Sequence, residues 1–208
     1  MSLQIWLAFV AASAVLLVIP GPTLITVMSY SISHGRRANV PIVAGVALGD
    51  STALVLSLLG LGALLSASAF WFTVVKIVGG LYLLFLGLKM LRSGVSLQAV
   101  DQPLALASRW RLFAHTCIVT ALNPKGIVFF IAFLPQFINP AAESGPQLWI
   151  LAATFVVMGT ANASLYAVFA TSARRVLASS RTQRRFNLAG GALLSGAGIW
   201  ALLAKRPA

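Results

Sequence analysis

Acidic residues are nearly absent from this chain. Of 208 residues only three are Asp or Glu, against 15 Lys and Arg, and only 9% are charged at all. A soluble domain carries about 25% charged residues. A chain that is 59% hydrophobic with a mean hydropathy of +0.94 is therefore an integral membrane protein, with no room for a separate soluble domain. Cysteine is limited to Cys117, which cannot form an internal disulfide and reads as a small apolar helix residue. The two histidines, His34 in a loop and His115 at a helix start, have neither a second histidine nor a carboxylate at ligand spacing, so no metal site is expected. No serine–histidine pairing is suggested, which argues against an intramembrane hydrolase. The net charge of +12 would suit nucleic acid, but the basic residues sit in short connections between apolar runs. They report topology rather than a nucleic-acid partner. The N-terminus has no Lys or Arg ahead of its apolar run, so that run is expected to be the first span rather than a cleaved signal peptide.

Apolar segments recur at roughly 4–29, 39–66, 69–91, 112–138, 147–172 and 187–204, and each is long enough to cross ~30 Å of hydrocarbon as a helix. Only a short Ser/Ala turn at 66–69 separates the second from the third. A single helix over both would be ~78 Å long, far beyond any bilayer. Arg36 and Arg37 lie in the first connection; Lys89, Arg92, Arg109 and Arg111 flank the third; five arginines from Arg174 to Arg185 fill the fifth. The second and fourth carry only Lys76 and Glu143. Odd connections are therefore cytoplasmic, with both termini outside, although Lys205 and Arg206 pull the other way. The halves also echo one another: Pro20-Gly21-Pro22 breaks the first span and Asn123-Pro124-Lys125 the fourth, while Gly79-Gly80 in the third matches Gly190-Gly191 in the sixth. The expected fold is an all-α membrane protein forming one domain over 1–208. Its six transmembrane helices make two inverted three-helix repeats (about 1–95 and 109–208, joined by a cytoplasmic linker at about 93–111), with helices 1 and 4 broken at prolines.

Depth singles out the polar residues. Asp101 and Glu143 lie in loops, which leaves Asp50 as the one carboxylate within a span. Counted from about Asn39 it lies ~16 Å deep, and Lys125, counted from about Phe113, lies ~18 Å deep. A lone charge at the bilayer centre costs at least ~2.5 kcal/mol, relieved by an ion pair or a wet cavity. Asp50 and Lys125 are thus expected to face each other or a common cavity; a purely structural pair is the competing reading. Pro20, Pro22 and Pro124 free backbone carbonyls at membrane depth, tolerable only where protein or water meets them. Half-helices starting near Pro22 and Pro124 would aim N–H groups at a carboxylate, and Asn123 and Asn162 add polar groups at the same level. Each proline alone could be a packing kink and each asparagine an interhelical bond. Their convergence points to a central binding site formed by Pro20, Gly21, Pro22, Asn123, Pro124 and Asn162 beside Asp50 and Lys125. Gly45 and Gly49, next to Asp50, form a G-x-x-x-G that permits close helix approach.

The ordered set of Pro20-Gly21-Pro22, Gly35-Arg36-Arg37, Gly45, Gly49-Asp50, Gly79-Gly80-Leu81-Tyr82-Leu83, Asn123-Pro124-Lys125 and Phe133-Leu134-Pro135-Gln136-Phe137 resembles the LysE/RhtB family of amino-acid exporters, across nearly the whole chain. The resemblance implies a proton-coupled exporter of an amino acid or derivative in a bacterial inner membrane. Its partners would be the substrate, protons and the bilayer, with no cofactor and no metal, and a homodimer is left open. Asp50 would gain and lose the coupling proton. The alternative is export of another small solute or a metal cation on the same scaffold, for which one Cys, two His and one intramembrane acid are a poor ligand supply.

Overall fold

The computed structural model describes residues 1–67, 69–93, 108–139, 142–172 and 179–203. The linker expected around 93–111 falls largely outside these residues, as do Arg174, Arg175, Lys205 and Arg206. All described elements are helical. They are α1 (Leu3–Val18), α2 (Pro22–His34), a 3-10 turn (Gly35–Ala38), α3 (Asn39–Ala67), α4 (Ala69–Ser93), α5 (Arg109–Ala121), α6 (Pro124–Val128), α7 (Ser144–Val168) and α8 (Ser180–Leu203). A π turn (Phe129–Phe133) and a 3-10 turn (Leu134–Phe137) continue α6.

The proline chemistry decides where helices stop. A proline ring collides with the carbonyl four residues back and restricts the preceding residue to extended backbone. Accordingly α1 ends at Val18, four residues before Pro22. The residues ahead of the prolines are extended: Ile19 (φ −66°, ψ 119°), Gly21 (φ −134°, ψ −174°) and Asn123 (φ −69°, ψ 110°). Pro22 and Pro124 then occupy the first helical turn, where a missing N–H costs nothing. Asn123 caps α6 by accepting from the Lys125 N–H at 3.1 Å. Pro135 has the same effect further on. It cannot donate one turn back, and Leu134 N–H reaches five residues back to the Phe129 carbonyl, which closes the π turn.

Two helical runs, Pro22–Gly60 and Ser144–Val168, are long and apolar enough to cross a membrane, and α5 with Pro124–Ile131 reaches that length and apolarity only as a pair, bent by 41° at the break. The first run is not a single rod. Gly35, at φ +66°, adopts a left-handed conformation that favours glycine. Thr23 and Leu24 line the same cavity as Val46 and Asp50, so the chain reverses at 35–38 and α3 runs back alongside α2. Large apolar side chains such as Leu7, Leu56, Leu59, Phe85, Val157 and Leu165 face outward on several helices. A helix that is apolar on every side belongs in lipid or a protein core rather than water.

Glycines set the two closest helix pairings. A Cβ on Gly45 would sit 2.7 Å from the Phe113 carbonyl oxygen, and one on Gly49 would sit 2.6 Å from Thr120 Cβ. Position rises together along both helices, so α3 and α5 are parallel. The Gly45–Gly49 pair is therefore a contact surface, with Cys117 half-buried within it. Between α4 and α8 the order is reversed, Gly80 facing Gly198 and Gly87 facing Gly191, which makes that pair antiparallel. Helix α7 packs against α1, α2 and α3. An aromatic core of Phe9, Phe129, Phe130, Phe133, Phe137 and Phe155 ties α1 and α7 to the π turn, the closest rings being Phe130 and Phe155 at 4.7 Å. Trp6 fastens the same side by donating its indole N–H to Thr154 at 3.1 Å.

Candidate functional site

A helix leaves its last carbonyls without intrahelical partners. At the end of α1 this problem lies within the protein, and three side chains from α6 and α7 solve it. The Lys125 ammonium donates to the carbonyls of Leu16 and Ile19, both at 2.8 Å. Asn162 Nδ2 donates to the Leu17 carbonyl at 3.1 Å, and the Tyr166 hydroxyl donates to the Val18 carbonyl at 3.2 Å. Four successive carbonyls are thus all met by side chains. The ammonium also sits at the negative end of the α1 dipole, where a cation is stabilised. Asn123 completes the joint by donating to Thr23 Oγ1 at 3.0 Å.

Around this joint lie two cavities. The smaller, about 40 Å³, is bordered by Leu16, Leu17, Asp50, Lys125, Gly159 and Asn162, among others. That is room for two or three waters at most. Asp50 projects into it against α7, where a Cβ on Gly159 would lie 2.6 Å from Asp50 Oδ2. Among the described residues Asp50 receives no hydrogen bond and forms no direct ion pair with Lys125, although both border this chamber. The physical reason is that the α1 carbonyls engage two of the three ammonium donors.

The larger cavity, about 350 Å³, lies on the other side of the joint and is bordered by Pro20, Pro22, Pro124, Tyr82, Lys89 and Met90, among others. Gly21, Asn123 and Lys125 border both cavities and form the partition between them. The residues singled out from the sequence therefore separate into three groups. Asp50 and Asn162 belong to the small chamber, the three prolines to the large one, and Gly21, Asn123 and Lys125 to the wall.

Several participants escaped the sequence reading. Tyr166 follows Asn162 by one helical turn, and that spacing on a span already carrying an asparagine was the available signal. Gly159 and Thr23 offered none, since their roles exist only through what lies opposite. Among the described residues no group of three or more His, Cys, Asp or Glu could hold a metal ion. Near the α2 end, Tyr30 packs edge-on against both His34 and His115, at 5.7 and 5.6 Å between ring centroids.

Comparison with known proteins gives consistent results. The profile of the LysE type translocator family matches residues 14–205. A homoserine/homoserine lactone efflux protein of Salmonella typhimurium is 34% identical over 207 residues, covering 99% of this chain and 98% of the relative. A membrane protein of Vibrio cholerae is 31% identical over 205 residues, covering 99% and 100%. A leucine efflux protein of Klebsiella pneumoniae is 29% identical over 154 residues, covering 74% and 73%. No solved structure gives a significant match.

Proposed function

The chain belongs to the LysE type translocator family of membrane transporters and is not an enzyme; from that premise we propose that it exports an amino acid or close derivative from the cytoplasm, driven by the proton gradient. Relatives named for homoserine and leucine efflux support the substrate class. The observation that carries the mechanism is the water-sized chamber at the α1–α2 joint, which holds Asp50 beside Lys125. A carboxylate there can take a proton from one side and release it to the other when the joint moves. Lys125, held on α1 by two bonds, ties the charge state of the chamber to the position of that helix.

The helix pairings support a reading as two inverted three-helix repeats, with α1–α2 equivalent to α5–α6, α3 to α7 and α4 to α8. Under that exchange the α3–α5 contact becomes the α7–α1 contact and the α3–α6 contact becomes the α7–α2 contact, while α3–α7 and α4–α8 map onto themselves. At 25 and 24 residues, α4 and α8 have the length of spans. The basic first, third and fifth connections favour both termini outside a bacterial inner membrane.

The test is reconstitution in liposomes with an imposed pH gradient, following labelled amino acids. The wild-type protein is expected to move substrate against its gradient when protons run the other way. Asp50→Asn is expected to retain exchange of substrate for substrate and to lose the response to the pH gradient. An Asp50→Asn protein that is still driven by protons would remove Asp50 from the mechanism.

A further inference from the structure

The two cavities differ in charge as well as in size. The small chamber holds one carboxylate and one ammonium, Asp50 and Lys125. Around the large cavity stand two lysines, Lys89 and Lys125, and no carboxylate. Lys89 was expected only as a topology marker near the end of the third span. A lysine near a helix end ordinarily extends to the headgroup region. Lys89 is exposed, as that requires, yet it also borders a cavity whose wall carries a second ammonium. Two like charges around one low-dielectric space raise the local concentration of anions. The volume, about 350 Å³, lies at the lower end of the roughly 300–1,000 Å³ typical of small-molecule pockets, whereas about 40 Å³ in the other chamber admits only water.

We infer that the large cavity is the substrate site, that its ligand is an amino acid with a free carboxylate and an uncharged side chain, and that Lys89 is the partner of that carboxylate. The inference rests on the proposed amino-acid export and adds where the substrate sits and which kinds are accepted. Ile25, Leu86, Met90 and Leu194 supply apolar wall for the substrate side chain. A lysine or arginine substrate would bring a second positive charge to a wall with no carboxylate to meet it, so basic amino acids are rejected. Substrate and proton then occupy separate chambers, and Gly21, Asn123 and Lys125 are the shared wall through which one is felt by the other.

The test uses the full-length protein in liposomes, with labelled homoserine, leucine and lysine as substrates, and homoserine lactone and leucinamide as competitors that lack a free carboxylate. Loss of one charged hydrogen bond should raise the KM of Lys89→Ala for homoserine and leucine by about 10-fold or more. Its inhibition constants for the lactone and the amide should stay within about twofold of wild type. Lys89→Arg, which keeps the charge, should restore KM to within a few-fold, and maximal rates should change little in either variant. Equal weakening for ligands with and without a carboxylate would overturn the role of Lys89. Transport of lysine as efficient as that of leucine would overturn the exclusion of basic substrates. A wild-type protein that moves none of these amino acids would overturn amino-acid export and this site together, so the failures are distinguishable.

Discussion

Replacing Lys125 with methionine removes an ammonium while keeping an unbranched apolar side chain of similar length. Two carbonyls, those of Leu16 and Ile19, lose donors that lie at 2.8 Å. On the scale of soluble proteins, hydrogen bonds to charged groups contribute about 1.5–3 kcal/mol each, which suggests a loss of about 3–6 kcal/mol. Within membranes the measured values are smaller, averaging about 0.6 kcal/mol with a maximum near 1.7, because the unfolded chain in lipid also finds partners. The bilayer scale applies here, and the expected loss is about 1–3 kcal/mol. A change of 1 kcal/mol moves the melting temperature of a chain of this size by about 2–4 °C, so the transition should fall by roughly 2–12 °C. Tryptophan fluorescence of the detergent-solubilised protein, which has five tryptophans, reads that transition. Asn162→Leu, which removes one neutral donor from the Leu17 carbonyl, should cost less than Lys125→Met. Lys125→Met also strands Asp50 beside a chamber without a cation. Adding Asp50→Asn should therefore recover part of the lost stability, as it does when both members of a buried charge pair are neutralised. A Lys125→Met protein melting within 1 °C of wild type would refute the idea that this lysine holds the end of α1. Failure of the double variant to recover would refute the electrostatic link to Asp50.

Two further substitutions probe geometry without removing a charge. Gly159→Ala places a methyl group 2.6 Å from Asp50 Oδ2, so the carboxylate must turn aside. Alanine's better helix propensity offsets about 1 kcal/mol of the crowding, so melting should move little while proton-driven transport falls about 10-fold; unchanged transport would mean that the orientation of Asp50 is immaterial. Gly49→Val puts atoms 2.6 Å from Thr120 Cβ and 2.7 Å from the Cys117 carbonyl oxygen, contacts that α3 and α5 can relieve only by separating. Overpacking of this kind costs about 1–3 kcal/mol, and a melting temperature equal to wild type would show the helices to be further apart than described.

Much of the architecture follows from short-range rules acting on neighbours in the chain. The apolar runs, Pro20 and Pro22 within one of them and Pro124 within another, and the lone carboxylate Asp50 are all visible in residue order. Proline's effect on the residue before it and on the carbonyl one turn back operates within a few residues, and α1 stops at Val18 and α5 at Ala121, each a few residues ahead of a proline. The G-x-x-x-G at Gly45 and Gly49 was legible as a pattern, but its partner was not: nothing near it names Phe113 or Thr120 as the atoms it admits.

The central site divides along the same line. Residue order alone led to the expectation that Asp50 and Lys125 share a depth, because hydropathy and the rise of a helix are properties of a single segment. It could not say what the ammonium touches. The bonds from Lys125 to Leu16 and Ile19 span 109 and 106 residues, and that from Asn162 to Leu17 spans 145. Each exists only because packing α7 and the α5–α6 bend around α1 brings donors to carbonyls that the helix itself leaves unmet. Only the tertiary structure decided that the residues expected to converge on one site border two cavities, of about 40 and 350 Å³, divided by Gly21, Asn123 and Lys125. A cavity's volume and charge are sums over helices distant in sequence, and no one stretch of the chain carries them.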